Sequence, residues 1–139
     1  MRTKKVNRYY CDFCKKSGCS GGHIKRHEKR CTMNPARECG MCKMLGQEPP
    51  DLQSLIALLP TVETQRRKDY SDDGRNSYDY FICIDEASQK ALREASGACP
   101  ACMMAAIRQR GLPVGTADKF NFSQECRSIW SDINASQRD

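Results

Sequence analysis

Aromatic residues make up only 7% of the 139-residue chain, with a single tryptophan, and hydrophobic residues together reach 39%. A share that low leaves too little apolar mass for a large core to hold the fold alone, so another source of stability is required. Histidine is equally scarce. The two present, His23 and His27, lie within one short stretch, which leaves no histidine base and metal pair elsewhere in the chain. No window approaches eighteen uncharged apolar residues, which argues against a membrane-spanning helix. The start MRTKKVNRYY has the charges of an export signal but no apolar run behind them, and a cytoplasmic protein is expected. GxxxxGKS/T, HExxH and GxSxG are all missing, so nucleotide hydrolysis, zinc proteolysis and lipase-type acyl transfer lack motif support.

Cysteine, in contrast, is abundant, at ten residues. Secreted small proteins use even cysteine numbers as disulfides, whereas cytosolic chains with paired Cys-x-x-Cys knuckles use them to hold zinc. The lack of an export signal favours zinc. Charge is uneven as well: residues 1–50 hold 12 basic and 4 acidic side chains, net +8, and residues 51–139 hold 11 and 13, net −2. A concentrated positive field at one end points to a polyanion partner such as DNA or RNA, the competing reading being a solvated face.

The first candidate metal site is Cys11-x2-Cys14-x12-His27-x3-Cys31. Two cysteines separated by two residues can turn both sulfurs toward one ion, and His27 and Cys31, four apart, share one helix face. Ile24 falls where it can pack back against the knuckle, and bound metal would supply most of the folding free energy. On these residues the segment resembles the C2H2-type zinc finger family, in its variant with cysteine as the last ligand. The resemblance covers residues 9–35 and implies a ββα finger. It departs from the family at Gly18, where an aromatic core residue is usual, and at Gly21 and Gly22, which weaken the first helical turn; Cys19 is a candidate to fill part of the missing volume. If the segment docks as the family does on DNA, Ser20, His23 and Arg26 face the bases. Lys25, Lys29 and Arg30 are then phosphate contacts, and Arg2, Lys4, Lys5 and Arg8 of the N-terminal arm extend the basic footprint. One finger spans about three base pairs in that mode, so it should bind weakly alone.

The second candidate site pairs Cys39-x2-Cys42 with Cys99-x2-Cys102 across 56 intervening residues. Four thiolates in two knuckles make one four-cysteine site the simplest reading, and one ion would then tie the middle of the chain to its last third. The rival is a redox dithiol in CPAC, which requires a preceding strand; the residues before it, EASQKALREASG, look helical. Cys19, Cys83 and Cys126 remain, read as buried free thiols. Both sites have four protein ligands and no open position, the arrangement of structural metal, and two zinc ions are expected. A carboxylate magnesium site built from Asp72, Asp73, Asp85 or Glu86 is the remaining enzymatic alternative, but adjacent acids are common in loops, and no enzyme is expected.

The rest of the chain reads as four helices and little sheet. DLQSLIALLP has Asp51 as N-cap, Leu52, Leu55, Ile56 and Leu59 at helical spacing, and Pro60 as a stop. The stretch 61–77 reads as an exposed loop in which Arg66, Arg67 and Lys68 are offset by nearby acids. YDYFICI, 78–84, reads as a strand or an extended buried run. Residues 85–95, rich in strong helix formers, form a helix with Asp85 or Ser88 near its start, another begins in the CPAC knuckle with Met103, Ala106 and Ile107 as its core stripe, and a last begins near Ser123. Phe122, Cys126, Ile129 and Ile133 share a face of that last helix with Trp130 beside it, making Ile129 and Trp130 candidate partner contacts. The whole is an α+β, zinc-stabilised protein: a basic arm and finger over residues 1–35, then a mostly helical four-cysteine domain over 36–139. The expected work is nucleic-acid binding as an accessory or regulatory factor; a protein-interaction adaptor or inhibitor is the alternative, and the oligomeric state is undetermined. The run YYCDFCKKSGCSGGHIKRHEKRCTMNPARECGMC is also similar to small finger-bearing proteins of bacteriophages and their bacterial hosts. That resemblance implies a cytoplasmic, nucleoid-associated role or inhibition of a host protein complex.

Overall fold

The computed structural model describes residues 1–61, 84–113 and 117–137. Its elements run in the order β1 (Tyr9–Tyr10), β2 (Ser17–Gly18), α1 (Gly21–Arg30), α2 (Gly40–Met44), α3 (Leu52–Ala57), α4 (Glu86–Ala95), α5 (Pro100–Gln109) and α6 (Phe122–Ser136). This is the expected small, mostly helical fold: a hairpin and helix, then helices around a buried four-cysteine cluster.

The hairpin is antiparallel, with Tyr9 opposite Gly18 and Tyr10 opposite Ser17. Its turn is closed by the Cys11 amide, which donates to the Lys16 carbonyl at 2.9 Å. Ser20 caps α1 by accepting from the His23 amide, so one orphan donor is satisfied although the helix opens on two glycines. Gly21 has a packing reason: a Cβ there would stand 3.3 Å from the Tyr9 ring. Cys11, Ile24 and Cys31 form the small core, with Cys14 and Met33 packed on it. Cys19 does not fill the space an aromatic residue would occupy, because it is exposed; Met33, arriving from beyond the helix, supplies the apolar mass instead. A flexible thioether suits such an irregular gap.

In the second unit α5 is the central element. Cys102, Met103, Ala105, Ala106 and Ile107 are buried along it, and it packs against α3 and α6. Pro100 stands in its first turn, where the missing N–H costs nothing. Asp85 caps α4 as expected, accepting from the Ser88 amide at 3.1 Å and the Ser88 hydroxyl at 2.6 Å, and those bonds hold its carboxyl below the ordinary value. Buried Gln89 joins α4 to the segment before α6: its Nε2 donates to the Ile84 carbonyl and to Asp118, and its Oε1 accepts from the Lys119 amide. An Arg93–Glu125 ion pair connects α4 to α6. No helix among the described residues is long and apolar enough to cross a membrane.

Several local expectations shift. The described residues contain a fifth helix in this unit, α2, because the CGMC knuckle continues into one further turn. Asp51 occupies the N-cap of α3 without bonding a backbone amide; its carboxylate accepts from the Ser54 hydroxyl at 2.8 Å. The cap of α6 is Asn121, accepting from the Gln124 amide, so the helix starts one residue before Ser123. The expected strand at 78–84 and the 61–77 loop lie outside the described residues apart from Thr61 and Ile84, and Ile84 is buried.

Gly97 and Ala98 are successive left-handed residues, φ +63° and +58°, turning the chain from α4 into Cys99. A Cβ on Gly97 would stand 2.7 Å from Gln47, whose amide is committed to the Ser96 carbonyl and the Cys42 sulfur. Gly97→Ala is therefore expected to destabilise the metal-loaded protein by about 2 kcal/mol, from backbone strain and the loss of those bonds. Ala98→Gly should stabilise it by about 1 kcal/mol. Denaturant midpoints of the two variants moving in the same direction would contradict this account.

Candidate metal centres

Cys11, Cys14, His27 and Cys31 form one cluster and Cys39, Cys42, Cys99 and Cys102 another, each with its four ligand atoms within 4.8 Å of one another. A tetrahedral site with zinc–sulfur bonds near 2.3 Å has an edge of about 3.8 Å. The Cys14 sulfur lies 3.2 Å from His27 Nε2, and the Cys39–Cys99 and Cys42–Cys102 sulfur pairs are each 3.5 Å apart. Both clusters are thus able to hold a metal ion, with donor sets of three sulfurs and one imidazole nitrogen, and of four sulfurs.

The knuckles provide more than ligands. Amides of Phe13 and Lys16 donate to the sulfurs of Cys11 and Cys14, each at 3.4 Å, and the Cys42 amide donates to Cys39 at 3.3 Å. These bonds aim the sulfurs inward and favour their charged form. The Asp12 amide donates to Glu28 on α1 at 3.0 Å, tying the first knuckle to the helix that carries His27. Cys31 caps that helix, while Cys39 and Cys99 each occupy the N-cap of the helix that follows.

Two polar groups that no motif announces attend the second cluster. Gln47 donates to Cys42 at 3.5 Å, and Arg37 Nη1 approaches Cys102 at 4.0 Å. Arg37 Nε is buried with no hydrogen-bond partner, and the sulfur of Cys102 is the group its guanidinium faces.

Thiol ionisation shows why a divalent ion suits these sites. Burial raises the Cys14 thiol, but hydrogen bonds from the Lys16 amide, His27, Cys31 and Cys11 outweigh it and bring it down to about 7. Cys31 is pushed up to about 11, first by burial. In the second cluster Cys102 and Cys99 hold Cys39 far below the ordinary value, and Cys39 and Cys99 in turn drive Cys102 far above it. Four sulfurs this close repel one another as thiolates, and a dication lets them ionise together. The helical α4 before CPAC, and the seating of Cys99 and Cys102 beside Cys39 and Cys42, give the CGMC knuckle a role that the dithiol reading leaves empty.

The finger is bonded to the second unit through the segment after Cys31. Gln109 Nε2 donates to the carbonyls of Thr32 and Asn34 at 2.8 and 3.0 Å, and Arg108 donates to the Thr32 hydroxyl at 2.8 Å. The Glu38 amide donates to the Lys29 carbonyl at 2.8 Å.

The basic residues lie outside both clusters. Arg2, Lys4, Lys5 and Arg8 are exposed in the arm, and Lys25, Arg26, Lys29 and Arg30 are exposed on α1. The structure does not leave all the helix positions free. Ser20 is occupied as the cap, His23 Nδ1 and Arg26 lie 3.4 Å apart, and the Arg30 guanidinium sits beside Gly40. On α6, Ile129 is half-buried and Trp130 is 47% exposed. Of the three spare thiols, Cys19 is exposed rather than buried, Cys126 is half-buried and Cys83 lies outside the described residues. Set against family models, curated proteins and solved structures, the chain matches none.

Two predictions come from this geometry. Metal analysis of the full chain should give two ions; Cys14→Ser should retain one with the second unit folded, whereas Cys42→Ser should retain at most one and lose protection of α2 and α5 in hydrogen exchange. Loss of both ions and all helicity in Cys14→Ser would contradict the separation. The second concerns pH: protons compete with metal for sulfur, so the apo chain binds more protons and stability must fall as pH falls. The four-sulfur site displaces more protons than the three-sulfur site, up to about four against about three when the free thiols are protonated. Its affinity should therefore drop more steeply with acid, as read by competition with a chromogenic chelator.

Proposed function

We propose that the chain is a zinc-binding protein whose finger and arm bind nucleic acid through their basic surface, with both ions in structural roles. Sulfur and imidazole donors, tetrahedral spacing and four protein ligands per site support zinc and leave no coordination position open for substrate.

One observation carries the nucleic-acid reading. Residues 1–30 contain ten basic side chains against Asp12 and Glu28, and among the described residues none of those ten forms an ion pair. Glu28 is engaged with the Asp12 amide. Uncompensated cations at this density attract a polyanion, and phosphate binding releases its counterions. The accessory or regulatory role rests on this binding and on the resemblance to small phage and bacterial finger proteins.

The test is the salt dependence of binding to labelled DNA and RNA. Affinity should fall steeply with salt, and replacing Lys25, Arg26, Lys29 and Arg30 together by alanine should reduce the logarithmic slope by up to about 3 if each meets a phosphate. Binding that is insensitive to salt and to these changes, yet lost on Trp130→Ala, would replace the nucleic-acid reading with the protein-adaptor one.

A further inference from the structure

The first finger strand divides its two tyrosines between opposite faces. Tyr9 packs beside Gly21 and pairs with Gly18, whose free side looks toward Ile24; this is the face that α1 covers. Tyr10 pairs with Ser17, and residues directly opposite in an antiparallel pair share a face, so both lie on the outer side. Arg8 reaches the same side, its Nε donating to the Ser17 hydroxyl at 3.0 Å. Tyr10 is 64% exposed, against 43% for Tyr9, and Phe13 in the following knuckle is 41% exposed. Lys15 and Lys16, between Phe13 and Ser17, are exposed too.

Tyr10 thus presents a flat apolar ring on the side that Arg8 also occupies. Rings leave water favourably when a flat partner covers them. The bases of a duplex are already stacked on one another and offer no free face, whereas those of a single strand do. We propose that the outer hairpin face with Arg8 and Tyr10, continued by the exposed Phe13 and Lys15 of the knuckle, is a stacking platform for single-stranded nucleic acid. Bases stack on Tyr10 and Phe13, and the phosphates run along the cations. The inference rests on the nucleic-acid reading above and deepens it by naming the strand state and the face used. The helix face offers the same backbone attraction but, apart from His23, no aromatic ring.

Anisotropy titrations on the metal-loaded full chain test it with three probes: an oligothymidylate, an oligouridylate and a mixed-sequence duplex of equal length. Both single strands should bind more tightly than the duplex. Tyr10→Leu should weaken single-strand binding about tenfold while leaving the salt slope and the duplex affinity unchanged; Tyr10→Phe should retain wild-type affinity. Phe13→Leu serves as an independent variant, and metal content confirms that each protein is folded. Photo-crosslinking of the unaltered protein to a bromouridine-substituted oligonucleotide should map to Tyr10 or Phe13. Wild-type single-strand affinity in both leucine variants, or crosslinks confined to α1, would overturn the platform while salt-dependent binding kept the basic-surface reading alive. Failure of all three probes to bind would remove both.

Discussion

The meeting of four sulfurs from Cys39, Cys42, Cys99 and Cys102 is the constraint on which the remaining architecture depends. The cysteines are themselves members of the larger core, in contact with Leu55, Leu92, Met103 and Ile107. A chain of this composition has little apolar area to set against conformational entropy. Joining residues 39–42 to 99–102 closes the intervening loop, and because the unfolded chain holds no preformed site, the free energy of metal binding offsets the entropy of that closure. The same junction starts α2 and α5, so the cross-link also fixes the direction in which both helices leave it.

From that junction α5 carries order to the finger. It begins at Cys99 and ends with Arg108 and Gln109 holding the segment just after Cys31, the last ligand of the first cluster. Arg37, a few residues further on, turns back toward Cys102. One helix thus has one cluster at its start and the exit from the other at its end. The C-terminal end of α1 is thereby occupied by its own protein, with Lys29 accepting from Glu38 and Arg30 beside Gly40. Among the described residues the hairpin end has no such engagement in the bonds that join the units, and Tyr10 on the outer face of β1 is exposed.

Ligand spacing made both clusters legible in the sequence, because a knuckle and an i, i+4 pair are short-range geometry that a string of letters preserves. Apolar periodicity did the same for α3 and α5, and a run of strong helix formers did so for α4. What escaped were contacts with no local pattern: Met33 entering the finger core, Gln47 and Arg37 turning to sulfurs, and Gln109 gripping carbonyls 75 and 77 residues away in sequence. Cap details depended on which nearby side chain reaches a backbone amide. Asn121 reaches a backbone amide where Ser123 had been expected to start the helix, and Asp51 bonds a serine side chain in place of an amide. Cys19 was misjudged because thiols are commonly buried, a tendency that says nothing about a residue in the two-residue turn between strand and helix.

Metal loading and charge segregation act in the same direction. Residues 1–35 carry ten basic and two acidic side chains, net +8, and residues 36–139 carry 13 and 15, net −2. A dication bound by three thiolates and an imidazole contributes −1 to the first part; one bound by four thiolates contributes −2 to the second. The loaded protein then divides as about +7 against about −4. Its net charge is lower than that of the metal-free chain, yet the proportionate contrast between its parts is greater. A polyanion approaching such a molecule is drawn to the finger and repelled by the helical unit, so the metal that shapes the finger also orients the encounter. Orientation of this kind favours contact through whichever finger surface points away from the acidic half. Among the described residues, the hydrogen bonds to that half come from the C-terminal end of α1 and the segment after it, and none comes from the hairpin.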